Sequence, residues 1–364
     1  MKQIKLKGKK KNIIIGYPNP IVVNVNVGAS NESLDSYNIE RNKILQLAKL
    51  ESPPDLMMDL SLNHTNGYLY DLIINEIGCP VGYIPHYTCK KNNGRIELNS
   101  LLDTMYQAAE SGVAWFVLHF TPNRSLVKLA IEKRTYPFAS RSAVIEIEDM
   151  IKSGRDESIY WEIIDEIVTI CNKYSIAISL GAAFRPGIMM DALDEVHIAE
   201  LKRYMEITNY FQTKGVSCFI EGMGHCNVAQ ILKFNTMLDH LNVPFMPLGP
   251  LFTDSFNKDD HIINAMSFYT GTVLGGKYSI INSITPSEHS GGIPDTNEII
   301  TGYKTARTCA RLCNEFQKCR QTEINNICLN ELGESCSRCM NICPNQFYFK
   351  NREQIELWIN LNSK

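Results

Sequence analysis

Eight short apolar runs, rich in β-branched residues and separated by amphipathic segments, constrain this chain more than any other feature. They are Val22–Val27, Leu56–Ser61, Val81–Pro85, Ala114–His119, Ile176–Leu180, Cys218–Glu221, Pro244–Leu248 and Ser279–Ile284. Between them apolar residues recur at helical spacing, as in Ile159, Ile163, Ile167 and Ile170, or Val228, Ile231, Leu232, Leu238 and Leu241. Strands that alternate with helices pair in parallel, because a parallel neighbour is reached only through a long crossover. Eight such units predict closure into a (β/α)8 TIM barrel. Such a barrel needs about 250 residues, and the chain has 364. The expected organisation is an N-terminal arm (1–20), a barrel (21–320) with an excursion at about residues 120–157, and a C-terminal cysteine-rich tail (321–364).

Composition excludes several classes. A net charge of −3 leaves no nucleic-acid footprint. The basic run Lys2–Lys11 reads as a solvated arm. No segment reaches the ~18 uninterrupted apolar residues of a membrane span. Twelve cysteines in a large chain without a visible secretory signal point to a reducing cytoplasm, with metal-bound or buried thiols rather than disulfides. Cys171 and Cys218 fall in apolar runs and are expected in the core.

In a (β/α)8 barrel, catalytic side chains come from the carboxyl ends of the strands. Here those positions carry Asn26, Met58 with Asp59, Tyr87, His119, Arg185, Glu221 with His225, Met246 and His289. His225 follows two glycines in Glu221-Gly-Met-Gly-His225, which let the backbone turn tightly and present the imidazole. His225 and His289 together could hold one divalent ion, with His64, His86 and His261 as competitors. Ser140-Arg141-Ser142 and Arg185-Pro-Gly187 offer hydroxyl and guanidinium donors to a phosphate. Near the C-terminus, Cys336-Ser-Arg-Cys339-Met-Asn-Ile-Cys343 places three thiolates where they can converge on one metal centre. Three ligands leave one coordination position open to a substrate, as in an iron–sulfur cluster with one free iron.

Several motifs together resemble the phosphomethylpyrimidine synthase family, radical S-adenosylmethionine (SAM) enzymes of thiamine biosynthesis. They are Asn24-Val-Asn-Val-Gly-Ala-Ser30, Met58-Asp-Leu-Ser61, Gly82-Tyr-Ile-Pro-His-Tyr87, Ser140-Arg141, Ser179-Leu-Gly181, Arg185-Pro-Gly187, Ile220-Glu-Gly-Met-Gly-His225, Pro244-Phe245, Leu248-Gly-Pro-Leu251 with Asp254, Asp260-His261, Thr285-Pro-Ser-Glu-His289 and the final cysteines. The resemblance implies the same barrel. It implies that Asn26, Met58, Tyr87, His119, Ser140, Arg141, Arg185 and Glu221 bind 5-aminoimidazole ribonucleotide. It further implies that His225 and His289 bind zinc or another divalent metal, and that Cys336, Cys339 and Cys343 hold a [4Fe–4S] cluster. SAM would chelate the open iron, and its reductive cleavage would give a 5′-deoxyadenosyl radical that abstracts hydrogen from the ribose. The expected product is 4-amino-5-hydroxymethyl-2-methylpyrimidine phosphate. The expected partners are a flavodoxin or ferredoxin reductant and a second copy of the chain, whose barrel receives the cluster tail.

The chain departs from the family pattern in five places, one of them a shorter region between the eighth helix and the cysteines. The last cysteine gap is three residues rather than four. An Asp-Gly-Leu-Arg segment becomes Ala182-Ala183-Phe184-Arg185, a tyrosine becomes Met246, and Ser-Arg-Gly becomes Ser140-Arg141-Ser142. Two polar contacts to the substrate are thereby lost. That opens a benzimidazole-forming reading, as in 5-hydroxybenzimidazole synthases of anaerobic cobalamin synthesis. Readings of another class are a ferredoxin-like carrier closed by Cys319 or Cys328, and a non-catalytic zinc-binding protein in which Cys309, Cys313, Cys319 and Cys328 join the tail.

Overall fold

The computed structural model describes residues 1–90, 93–319 and 344–361. The chain divides into two units, Met1–Asn314 and Glu315–Lys364. Of the second, a helix at Pro344–Leu361 is described, which bends at Asn351 where the backbone leaves helical angles. Cys336, Cys339 and Cys343 lie outside the described residues.

The first unit begins with an antiparallel hairpin, β1 (Ile4–Leu6) and β2 (Ile13–Ile15). Ile4, Leu6 and Ile15 are buried in the main core. The basic arm is therefore only partly solvated: alternate residues face inward, and the lysines between them face water. The eight expected strands follow as β3 (Val22–Val27), β4 (Leu56–Asp59), β5 (Val81–Tyr83), β6 (Trp115–Leu118), β7 (Ala177–Leu180), β8 (Cys218–His225), β9 (Phe245–Leu251) and β10 (Ile280–Asn282). All pair in parallel in the order β10-β3-β4-β5-β6-β7-β8-β9. Tyr278 bridges Phe245 in parallel, and the Ser279 N–H donates to the Phe245 carbonyl (2.9 Å). The Ser279 carbonyl accepts from the Val22 N–H (3.2 Å) on its other side. This segment joins the two edges and closes the barrel. The strands read as near-continuous apolar runs because they are covered on both faces, by the barrel interior and by the outer helices.

The interior is packed at its base and open at the strand carboxyl ends. Trp115 and Phe219 meet edge to face there, with centroids 6.2 Å apart. A side chain at Gly82 would collide with the Trp115 indole.

The excursion contains two helices, α4 (Arg124–Lys133) and α5 (Arg141–Ser153), numbered after α1 (Leu34–Ala48), α2 (Leu69–Glu76) and α3 (Leu98–Ser111). Leu126, Ala130, Ala143, Ile147, Ala183, Phe184 and Val196 form a satellite core that holds both helices against the loop after β7. Arg134 fastens the same region. It makes a bidentate pair with Asp194 (2.7 and 2.8 Å) and donates to the Phe184 carbonyl (2.8 Å). This clamp matters for function because Arg141 and Arg185 stand on the two segments it joins.

Replacing Arg134 with Met keeps most of the volume but strands the Asp194 carboxylate and the Phe184 carbonyl. A destabilisation of about 2–3 kcal/mol is expected, less than for a fully buried pair because Asp194 is partly exposed. Urea unfolding at constant m-value measures it.

Candidate active site

The strand carboxyl ends open into a cavity of about 600 Å³. Its lining includes Asn26, Met58, Tyr87, His119, Ser140, Arg141, Arg185, Glu221, His225 and His289, every barrel residue that the family resemblance assigned to substrate or metal. Met246 also lines it, whereas His64, His86 and His261 do not. Asp59 faces away from the cavity. Its carboxylate accepts from the Ser61 and Tyr70 N–H groups (2.9 and 3.0 Å) and so anchors the start of α2. Side-chain alternation along β4 separates it from Met58. A second cavity of about 230 Å³ adjoins the first and shares Asn26, Leu60, Arg141 and Glu288 with it.

One end of the site is built for an anion. Ser140 caps α5, accepting from the Ala143 N–H (3.4 Å), so the helix presents its unpaired N–H groups toward the cavity. Arg141, the first helical residue, lies over the Tyr87 ring at 4.8 Å and donates to the Tyr87 hydroxyl (3.4 Å). Arg185 donates to the Ala182 and Ala139 carbonyls (3.1 and 3.3 Å). These bonds to neutral oxygens orient both guanidiniums without neutralising them. The apolar Ala182-Ala183-Phe184 stretch holds its shape through Glu200, which accepts the Phe184 N–H at 3.0 Å on both carboxylate oxygens.

The other end carries the two histidines. Strand β8 runs on to His225 because Gly222 (φ 156°), Met223 (φ 85°) and Gly224 (φ 70°) take positive φ, with a register shift between Met223 and His225. A side chain at Gly224 would strike the Pro186 carbonyl. His225 Nδ1 lies 2.8 Å from Asp254 Oδ1, and His289 Nδ1 lies 3.0 Å from Asp260 Oδ2. A carboxylate only accepts, so both rings carry their proton on Nδ1 and keep the Nε2 lone pair for a ligand. The ring centroids are 6.1 Å apart, and Phe256 stacks on His289 at 4.5 Å. Burial lowers the His225 pKa against the opposing pull of Asp254, so the ring is a neutral donor at neutral pH. Two imidazoles, each with an Nδ1 proton fixed by a carboxylate, suit a divalent metal with positions left for other ligands. Asp254 and Asp260 stood in the sequence motifs without a role; nothing in their spacing told that they orient imidazoles.

Between the two ends lie Glu221 and His119. Glu221 accepts from Ser179 Oγ (2.7 Å). Burial pushes its pKa up to about 7, against the hydroxyl bond and the Arg185 charge, which lower it. It can therefore take or give a proton near neutrality. Burial keeps His119 neutral, its pKa well below the usual value. Its ring rests on Gly181, where any Cβ would overlap the imidazole.

Residues 2–344 match the family described as the radical SAM ThiC family. The chain is 31 % identical over 310 residues to the phosphomethylpyrimidine synthase of Carboxydothermus hydrogenoformans, an overlap of 82 % of this chain and 71 % of that protein. The chain belongs to the radical SAM ThiC family. Among solved structures, Xanthomonas albilineans dihydropteroate synthase aligns at a TM-score of 0.49 and 10 % identity, covering 88 % of this chain and 100 % of that one. A Clostridium difficile type I 3-dehydroquinate dehydratase aligns at 0.45 and 10 %, covering 86 % and 99 %.

As a radical SAM ThiC protein the chain is an enzyme that uses a [4Fe–4S] cluster and SAM. Cys309 and Cys313, candidates for a zinc site, are instead core thiols: both are buried, with sulfurs 4.0 Å apart, and Cys309 donates to the Ala265 carbonyl. Cys171 and Cys218 are buried as expected. Among the described residues no helix is long and apolar enough to cross a membrane.

The raised Glu221 pKa has a stability consequence. The folded state binds this proton up to about pH 7, the unfolded state only to about 4.5, so the contribution is full below pH 4.5 and is lost as pH rises to 7. Glu221→Gln removes this loss. The substrate-free variant should gain on the order of 2–3 kcal/mol relative to the parent between pH 4.5 and pH 8. Denaturant unfolding at the two pH values tests it.

Proposed function

We propose that this enzyme is a radical SAM carbon–carbon lyase that rearranges 5-aminoimidazole ribonucleotide into 4-amino-5-hydroxymethyl-2-methylpyrimidine phosphate. The observation that carries the reading is the convergence, in one barrel cavity of a radical SAM ThiC chain, of an anion end and a metal-binding end about a buried carboxyl group. Ser140, Arg141 and Arg185 receive the phosphate. Asn26, Met58, Tyr87, His119 and Glu221 surround the sugar and base. Glu221 supplies or removes a proton at the reacting end, and the apolar wall of Met58, Met246 and Leu248 keeps water out.

His225 and His289 would hold zinc or a related divalent ion through Nε2, and Cys336, Cys339 and Cys343 would hold the cluster. When bound, the cluster and SAM supply the hydrogen-abstracting radical chemistry. A second copy of the chain to which the cluster tail reaches, a flavodoxin or ferredoxin reductant and a cytoplasmic setting complete the proposal. The two lost polar contacts, at Ala182 and Met246, are read as a pocket that holds the same substrate with less hydrogen bonding at its ring end. No observation favours the benzimidazole product, the electron carrier or a non-catalytic metal protein.

The test is an anaerobic incubation of reconstituted enzyme with SAM, reductant and the ribonucleotide. The product should have the mass of the pyrimidine phosphate, with deoxyadenosine formed alongside. Deoxyadenosine without consumption of the ribonucleotide contradicts the reading, and so does a hydroxybenzimidazole mass. Arg185→Ala should lower kcat/KM about 100-fold, the scale of one lost charge-assisted phosphate contact.

A further inference from the structure

Behind the cavity wall lies a cluster of three side chains, of which the proposed reaction uses only His119, through the face it turns to the cavity. His86 follows β5, His119 follows β6 and Glu146 sits on α5. Three separate elements thus bring their side chains to one point, where His86 and Glu146 are almost fully excluded from solvent and His119 is 3 % exposed. One ligand atom from each lies within 4.8 Å of those of the other two. One polar atom on each, His86 Nε2, His119 Nδ1 and Glu146 Oε1, has no hydrogen-bond partner among the described residues. The remaining atoms are engaged. His86 Nδ1 meets the Tyr160 hydroxyl (2.7 Å), Glu146 Oε2 accepts from Ser158 Oγ (2.5 Å), and His119 Nε2 faces Ser140 Oγ (3.5 Å). Glu146 Oε1 and His86 Nδ1 stand 3.6 Å apart, too far for a hydrogen bond.

Buried polar atoms without partners are unfavourable, and one on each of three side chains packed this closely together is unusual. No direct bond within the trio satisfies them. A cation satisfies all three at once, because each orphan atom is of a kind that donates a lone pair. Two imidazoles and one carboxylate form the set that binds first-row divalent ions and leaves positions open. Tetrahedral ligand atoms around an ion at about 2.0–2.2 Å are about 3.3–3.6 Å apart, so the side chains need close by at most about 1.5 Å. The Tyr160 and Ser158 contacts supply the outer hydrogen bonds that orient metal-bound His and carboxylate groups. Burial holds both imidazoles neutral, the form that ligates, with His86 lowered to about 3.

We propose that His86, His119 and Glu146 form a second divalent-metal site, separate from the His225–His289 pair and sharing a wall with the substrate cavity. The ion is zinc, cobalt(II) or iron(II) by donor type. It has a consequence for the cavity. With Nδ1 on the ion, His119 must carry its proton on Nε2, beside Ser140, and becomes a fixed hydrogen-bond donor toward whatever occupies the cavity. Free imidazole could present either tautomer.

The site does not rest on the identity of the substrate, and its test is a metal count. Full-length protein with its cluster reconstituted is saturated with zinc, freed of excess by gel filtration and analysed for zinc per chain. Two equivalents are expected. His225→Ala/His289→Ala should retain one, and Glu146→Gln or His86→Phe should each lose one from the parent. The combination should lose both. An unchanged count in Glu146→Gln and His86→Phe overturns the proposal, and so does loss of all zinc in His225→Ala/His289→Ala. Because a buried variant can fail to fold, anomalous diffraction at the zinc edge from the parent protein gives an independent answer. A peak bounded by His86, His119 and Glu146 supports the site; a peak only between His225 and His289 overturns it.

Discussion

Closure of the parallel sheet is the constraint on which everything else depends. Ser279 bonds to β9 on one side and β3 on the other, so the eight parallel strands form one closed ring. Their carboxyl ends then fall on a single rim. Residues as distant in the chain as Asn26 and His289 reach one cavity only because that ring is complete. The same closure leaves the base of the barrel filled by Trp115 and Phe219 and the other end open, so a binding site arises without a gap in the core.

The rim is then refined by contacts that come from loops. Asp254 and Asp260 set the proton positions of His225 and His289, and Phe256 packs on the latter. Arg134 and the satellite core hold the start of α5 against the loop after β7, so the two cavity arginines keep a fixed spacing. The charge pattern follows from burial. Glu221 is poised near neutrality and His119 and His225 are kept neutral, while the two guanidiniums stand at the anion end. A site so divided offers an anion-binding end and a metal-binding end, the two features that the proposed ribonucleotide reaction needs.

The strands were legible because parallel strands covered on both faces read as apolar runs, and the site because strand ends of a closed barrel share a rim. Boundaries were less so. The glycines of β8 and the prolines of β9 look like chain breakers, yet β8 continues to His225 and β9 to Leu251. Local turn chemistry there yields to pairing with a neighbouring strand. The basic arm looked solvated because lysines dominate its composition, although Ile4 and Leu6 are core residues. The aspartates behind the two histidines, and the convergence of His86 with Glu146, were not legible at all. Those contacts join residues many positions apart, and no periodicity or spacing encodes them. The cysteine motif has the opposite character: it is explicit in the sequence and lies outside the described residues.

The central claim is that one cavity binds a ribonucleotide through its phosphate, at the end formed by Ser140, Arg141 and Arg185. Isothermal titration of the anaerobic enzyme with 5-aminoimidazole ribonucleotide and with its dephosphorylated riboside tests it most directly. The account predicts saturable binding of the ribonucleotide and at least about 100-fold weaker binding of the riboside, from the loss of charge-assisted contacts to two guanidiniums. Equal affinity for the two compounds, or ribonucleotide binding unchanged by Arg141→Ala/Arg185→Ala, would contradict it.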